Sequence, residues 1–99
     1  MSSPSLYWTT VSLQSQNIES CADVLTGAHS VMQNKALTSV QQSAYDVSGR
    51  TANTHAAVMC VKLGPGNYLA VIMVGGTDNT ETKDVRAKLK AGIEGLNWL

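Results

Sequence analysis

Two short apolar runs separated by turn residues dominate the hydrophobic pattern of this 99-residue chain. The runs span residues 55–63 and 68–76, and Gly-Pro-Gly-Asn occupies positions 64–67 between them. Runs of this length, rich in Val, Ile, Met and Ala, are typical of buried strands rather than helices. Proline fixes one backbone dihedral angle, and glycine permits the others that a tight reversal needs. The pattern therefore predicts an antiparallel β-hairpin.

Both faces of the predicted hairpin are apolar. Alternation places Ala57, Met59 and Val61 on one side of the first strand, and Val58 and Cys60 on the other. An antiparallel sheet with one face in water normally alternates apolar with polar residues. Both faces therefore need cover. We expect helices on one face and a homodimer, formed by sheet-to-sheet packing or by edge pairing, with Ala57, Met59 and Val61 in its interface.

The first half of the chain predicts a strand and an amphipathic helix. Thr, Val and aromatic residues alternate over residues 6–14, which is typical of a strand. Cap-forming residues follow at 15–17, and apolar residues then recur at helical spacing until about 33–35. Residues 39–47 favour a further strand followed by a turn, with a helix ending near Ala44 as the alternative.

A second amphipathic helix is predicted after the hairpin. Asp78 and Glu81 have the spacing of a capping box, and an apolar stripe begins at Val85. The predicted order is β-α-β-β-β-α, an α+β two-layer sandwich with two helices on one face of a mainly antiparallel four-stranded sheet. Residues 1–5 are predicted to be a disordered tail and residues 6–99 a single domain.

Composition excludes several classes of partner. Seven basic residues balance seven acidic ones, whereas a general nucleic-acid or anionic-membrane binder shows a basic excess. No apolar run approaches the roughly 20 residues of a membrane span. The first residues show no signal peptide, so we expect a cytoplasmic protein as written, and an exported one if a leader was removed.

The two cysteines leave three interpretations open. Cys21 lies on the apolar stripe of the first helix and Cys60 in the first hairpin strand. They are two separate buried hydrophobes, a disulfide where helix meets sheet, or a catalytic thiolate. Together with His29 and His55, the two cysteines make four residues of the types that bind zinc. Their spacing along the chain matches no compact metal motif. We therefore predict no metal and no cofactor.

Polar residues cluster just before the hairpin. Tyr45, Asp46, Arg50 and His55 are the first choice for the rim of a ligand pocket, because binding groups concentrate on loops held by rigid strands. His55 with Asp46 or Ser48 also supplies residue types that hydrolases use, although no nucleophile-elbow motif is present. The alternative is that these short polar residues form turns.

The order of features resembles a diffuse group of small, uncharacterised bacterial α+β proteins. The resemblance is carried by four features: Cys21 in the first helix, the turn-like residues 47–50, the strand Ala-Ala-Val-Met-Cys at 56–60, and the small residues that end the segment 74–76. Some members of the group are secreted or encoded in mobile gene cassettes. The resemblance implies no established activity and no catalytic residues.

Three functions remain as hypotheses. The leading one is a small homodimeric binding or interaction module without evident catalytic activity. The second is a small-molecule binder or carrier with a pocket between sheet and helices, or at the dimer seam; four Met residues would give an adaptable lining. The third is a small hydrolase-like enzyme that uses His55.

Overall fold

The computed structural model describes residues 5–96, which form one antiparallel five-stranded sheet and two helices. The elements are β1 (Ser5–Gln14), α1 (Cys21–Asn34), β2 (Thr38–Gln42), β3 (Asp46–Arg50), β4 (Thr54–Gly64), β5 (Asn67–Gly76) and α2 (Asn79–Glu94). The sheet order is β1-β5-β4-β3-β2, so the predicted hairpin lies at its centre. The α+β class is confirmed. Of the predicted tail, Ser5 begins β1 and residues 1–4 lie outside the described residues.

The predicted number of strands is wrong by one. Residues 39–47 were expected to form one strand, but the chain reverses at 43–45 and separates β2 from β3. The reversal is held by Ser43, whose hydroxyl donates to the Asp46 carboxylate at 2.8 Å and accepts from the Asp46 backbone N–H at 3.1 Å. A short hydroxyl side chain bonding to nearby backbone is a common turn device. The true order is therefore β-α-β-β-β-β-α.

Residues 48–50, predicted as a turn, lie inside β3. A Cβ at Gly49 would come within 3.2 Å of the Met32 sulfur and 3.3 Å of Leu37. Glycine at this position therefore admits close packing of the residues above the strand rather than a chain reversal. Composition alone does not separate these two uses of glycine.

Both helices pack on one face of the sheet. α1 lies over β2, β3 and β4, α2 lies over β1, β5 and β4, and the two helices contact each other. α2 begins as predicted: the Asp78 side chain accepts a hydrogen bond from the Glu81 backbone N–H at 3.0 Å. α1 begins at Cys21, later than the predicted caps at 15–17, and Ile18 is buried in the connection before it.

The hydrophobic core lies between this sheet face and the helices. Its sheet side is supplied by every second residue of the central strands, as the pleat requires. The core residues with less than 2% of their surface exposed include Leu25, Met32, Val47, Val58, Tyr68, Ile72, Val74, Leu89 and Ile93. The core therefore uses one face of the hairpin only.

Candidate functional site on the uncovered sheet face

The sheet face opposite the helices is apolar and exposed; it is referred to below as the bare face. Its apolar residues are Leu6, Trp8, Ala57, Met59, Val61, Leu63, Leu69, Val71 and Met73, and the register also places Thr10 and Ser12 of β1 and Asp46 and Ser48 of β3 on this face. Leu6 is 76% exposed, Trp8 68% and Leu63 56%. Single exposed apolar side chains are ordinary on protein surfaces, but a contiguous patch marks a binding surface.

Strand register makes the bare face contiguous. Trp8 of β1 lies opposite Met73 of β5, and Met73 lies opposite Ala57 of β4. In the next row Val71 lies opposite Met59. Directly opposed residues on one face of an antiparallel pair have Cβ atoms about 5 Å apart, so their side chains touch. The predicted dimer residues Ala57, Met59 and Val61 all lie on this face; their role in an interface stays a prediction.

Six residues of the bare face were missed as interface candidates: Leu6, Trp8, Leu63, Leu69, Val71 and Met73. The signal that could have found them is the period-two alternation of β1 and β5. Alternation within each strand is enough to place Trp8 on the side opposite Tyr7, and Met73 on the side opposite Ile72. What the sequence lacked was the pairing of β1 with β5, which joins the two alternating patterns into one surface.

The two cysteines form a disulfide on the helix-covered face. Cys21 is the first residue of α1, Cys60 lies in β4, and their Cα atoms are 5.6 Å apart. Of the three interpretations left open by the sequence, the structure therefore has the disulfide where helix meets sheet. The disulfide leaves neither thiol for nucleophilic or metal chemistry. Disulfides persist in oxidising compartments, so this bond is consistent with export.

Two of the four predicted ligand-binding residues come together. Arg50 of β3 lies directly opposite His55 of β4, and both line a shallow cavity of about 330 Å³ with Ser39, Gln41, Ser48 and Gly49. Tyr45 is not in this cavity: it lies in the turn before β3 and is 80% exposed. Asp46 is not in it either, and its carboxylate bonds to Ser43 instead. The cavity is open and lies beside the bare face.

The geometry gives no support to a hydrolase that uses His55. His55 is exposed, and no hydrogen bond joins its ring to another residue within 5–96. Ser48 lies opposite Ala57 rather than His55. A nucleophile needs its base within hydrogen-bond reach, and the base needs a third group to orient it. None of these contacts is assembled in the described part of the chain.

The residues that the structure describes also form no metal-binding site. No group of three or more His, Cys, Asp or Glu side chains in this part of the chain could hold an ion. His29 lies over the sheet edge, and its Nδ1 is 3.1 Å from the Gln42 side-chain oxygen. This is the contact of a satisfied, partly buried histidine.

A polar network joins the start of α2 to the connection between β3 and β4. The Glu81 carboxylate accepts hydrogen bonds from the Thr51 hydroxyl and from the Asn53 amide, the latter at 3.0 Å. These bonds favour the ionised form and lower the pKa of Glu81 below its usual value, Thr51 having the larger effect. The network lies on the helix side, so it stabilises the fold without reaching the bare face.

Basic residues of α2 lie against β1. The Lys83 ammonium and the Arg86 guanidinium lie 5.6 Å and 5.0 Å from the centre of the Tyr7 ring. Cations over an aromatic face are attracted to it. Two of the basic residues of α2 are thus engaged with the chain's own sheet.

No known protein family matches the chain, and no similar sequence is found among curated proteins. The features behind the predicted resemblance are present in coarse form: a small α+β fold with one cysteine in the first helix and one in a central strand. Membership of that bacterial group stays a prediction.

Neither helix in the described range is long and apolar enough to cross a membrane.

Proposed function

We propose that this protein is a small homodimeric interaction module whose bare face packs against the same face of a second copy. The observation that carries the proposal is the contiguous apolar patch built by β1, β5 and β4, opposite a face that the chain's own helices already fill. A patch of this kind on a folded domain is an association surface. A two-fold axis parallel to the sheet lets one patch serve both copies.

The size of the patch suits a dimer. Strands about 4.8 Å apart and about 3.3 Å long per residue give three strands of ten residues a footprint of roughly 14 by 33 Å, or about 460 Å². Two footprints give about 900 Å², and the accessible area of corrugated side chains exceeds this flat projection. A stable interface needs about 1,000 Å² in total. The bare face therefore reaches the lower limit for a specific dimer.

The distribution of charged residues also supports a dimer formed by packing of the two bare faces. On this side of the sheet, β1, β5 and residues 57–63 of β4 carry no charged side chain, so packing two copies on these three strands buries no ion of theirs. Asp46 of β3 lies at the edge of the patch, opposite Met59, with its carboxylate bonded to Ser43. Lys62 belongs to the opposite face, where its ammonium lies 6.0 Å from the centre of the Tyr68 ring. The core of an interface is depleted in charge in this manner.

Sedimentation velocity on the intact, oxidised protein at tens of micromolar tests the proposal. We expect a dimer for the unmodified protein and a monomer for Met59→Lys, which places one charge at the centre of the bare face. Ala87→Lys adds the same charge to an exposed position of α2 and is the matched control, which stays dimeric. Far-ultraviolet circular dichroism establishes that both variants fold.

Two results would overturn the proposal. An unmodified protein that sediments as a monomer at this concentration removes the dimer altogether. A dimer that persists in Met59→Lys shows that the copies associate elsewhere, for example by pairing of their β1 edges, which leaves the bare face to another use.

A further inference from the structure

Three shallow cavities run across one end of the bare face and share their walls. A cavity of about 140 Å³ is lined by Leu6, Trp8, Val71 and Met73. A second, of about 270 Å³, shares Leu6 and Met73 with the first, and it shares Ser48 and His55 with the cavity at Arg50. Because neighbouring cavities share lining residues, we treat the three as one depression from β1 to β3, referred to below as the trough.

Glycine at position 75 opens the middle of the trough. In the cross-strand row Gly75 stands between Leu6 on one side and His55 on the other. A Cβ there would make ordinary van der Waals contacts, 3.7 Å to the Leu6 side chain and 3.7 Å to the Ser5 carbonyl oxygen, and would clash with nothing. By contrast, a Cβ at Gly76, on the covered face, would approach the Thr82 hydroxyl to 2.6 Å. Gly76 is needed for packing, whereas Gly75 leaves room above the sheet.

The two ends of the trough differ in polarity. Leu6, Trp8 and Met73 make the β1 end apolar, and Arg50 with His55 makes the β3 end basic. No ion pair or hydrogen bond engages the Arg50 guanidinium within 5–96. The strands contain a single carboxylate, Asp46, which lies on β3 about 13 Å from Arg50 and bonds to Ser43. Arg50 is thus an uncompensated cation beside an apolar groove.

We propose that the trough binds an amphipathic carboxylate, with its tail on the apolar end and its carboxylate on Arg50. A guanidinium matches a carboxylate in a two-bond geometry, and His55, directly opposite, adds a further donor. The distance from β1 to β3 is three strand spacings, or about 14 Å, which suits an unbranched tail of about ten carbons. The proposal builds on the proposed function, because the second copy closes the trough from above.

Isothermal titration of the full, oxidised chain with decanoate, below the concentration at which it forms micelles, tests this site. Decanol supplies the tail without the charge, and acetate supplies the charge without the tail. We expect decanoate to bind and both fragments to bind at least about tenfold more weakly, because a hydrogen-bonded charge and an apolar tail each contribute that much.

Variants separate the two ends of the trough. Arg50→Gln is expected to weaken decanoate binding about tenfold, and Lys90→Gln, at an exposed position of α2, is the control that leaves it unchanged. Gly75→Ala fills the floor without a clash and is expected to weaken binding of the tail several-fold. All three changes lie at sites where the new side chain has room, so the fold is retained.

The outcomes distinguish this proposal from the dimer. Absence of decanoate binding, equal affinity for decanol, or an Arg50→Gln variant that binds as well as the unmodified protein each overturns the trough. Sedimentation of the same samples reports the dimer separately. A dimer without decanoate binding retains the proposed function and removes the trough. A monomer that binds decanoate removes the proposed function, and with it the closure of the trough by a second copy.

Discussion

The two faces of β5 are equally apolar in sequence but very different in use. Tyr68 and Ile72, which point toward the helices, are fully buried, whereas Val71 and Met73, one residue away, stay partly exposed. Two helices of 14 and 16 residues are enough to cover one face of a five-stranded sheet and not two. The difference shows that an apolar strand pattern predicts that both sheet faces need to be covered. The number of helices then decides how many of those faces the chain covers by itself.

The covered face also has features that let helices approach it. Gly49 lies directly under Met32 and Leu37, and the Cys60 sulfur is bonded to the first residue of α1. Large side chains occur on both faces: Tyr68 and Ile72 are buried under the helices, and Trp8 and Met59 are exposed on the bare face. The close approach of α1 therefore depends on particular positions, Gly49 and Cys60, and not on the general size of the residues.

Of the changes that compare the two faces, we expect removal of the disulfide on the covered face to have the largest effect on the free energy of unfolding. Replacing both cysteines, Cys21→Ala with Cys60→Ala, releases a loop closed over a sequence separation of 39 residues. The chain-entropy relation gives a loss of about 4 kcal/mol in the free energy of unfolding. Urea denaturation at fixed protein concentration measures it. The unmodified protein kept in reductant should match the double variant; if neither differs from the oxidised protein, the bond does not stabilise the covered face.

A matched pair of truncations on β5 compares the faces directly. Ile72→Ala removes fully buried methyl groups from the core and should lower the free energy of unfolding by about 3 kcal/mol. Val71→Ala, on the partly exposed face, should lower it by less than about 1 kcal/mol and weaken dimer association instead. Urea denaturation measures the first quantity and sedimentation the second. Equal losses of stability would show that both faces are equally buried in solution.

The smallest expected effect is a pH dependence of stability that comes from Glu81, on the covered side of the sheet. The hydrogen bonds from Thr51 and Asn53 lower the pKa of Glu81 in the folded state. Their stabilisation is therefore present above the unfolded pKa of about 4.3 and is lost as the pH falls through the lower, folded pKa. We expect Glu81→Gln to be less stable than the unmodified protein near neutrality, and the gap to close in acid. Thermal unfolding across pH measures this gap; one that widens in acid contradicts the assigned bonds.

Local chemistry was enough to predict the hairpin, its two faces and the start of α2. Pro65 and Gly66 define the reversal, and Gly66 does adopt a positive φ of 67°. The Asp78 cap depends on residues three positions apart in the chain. Features of this kind are decided by neighbours in sequence, so a single sequence contains them.

The predictions for residues 38–50 failed where distant contacts decide the structure. Gly49 resembles a turn residue in its own segment, and only the packing of Met32 and Leu37 makes it part of a strand. β2 is a short edge strand with a register shift and Ser39 at a positive φ of 52°, so its sequence has no clean alternation. The grouping of Arg50 with His55 and the separation of Tyr45 likewise follow from the β3–β4 register.

The sequence by itself determined that two apolar strands would pair and that each of their faces would need cover, because side-chain alternation is a property of the backbone. The tertiary structure decided which face the helices took, that β1 would extend the other face beside β5, and that Cys21 would reach Cys60. These outcomes depend on contacts between segments far apart in the chain, whose free energy is set only when the whole domain has packed.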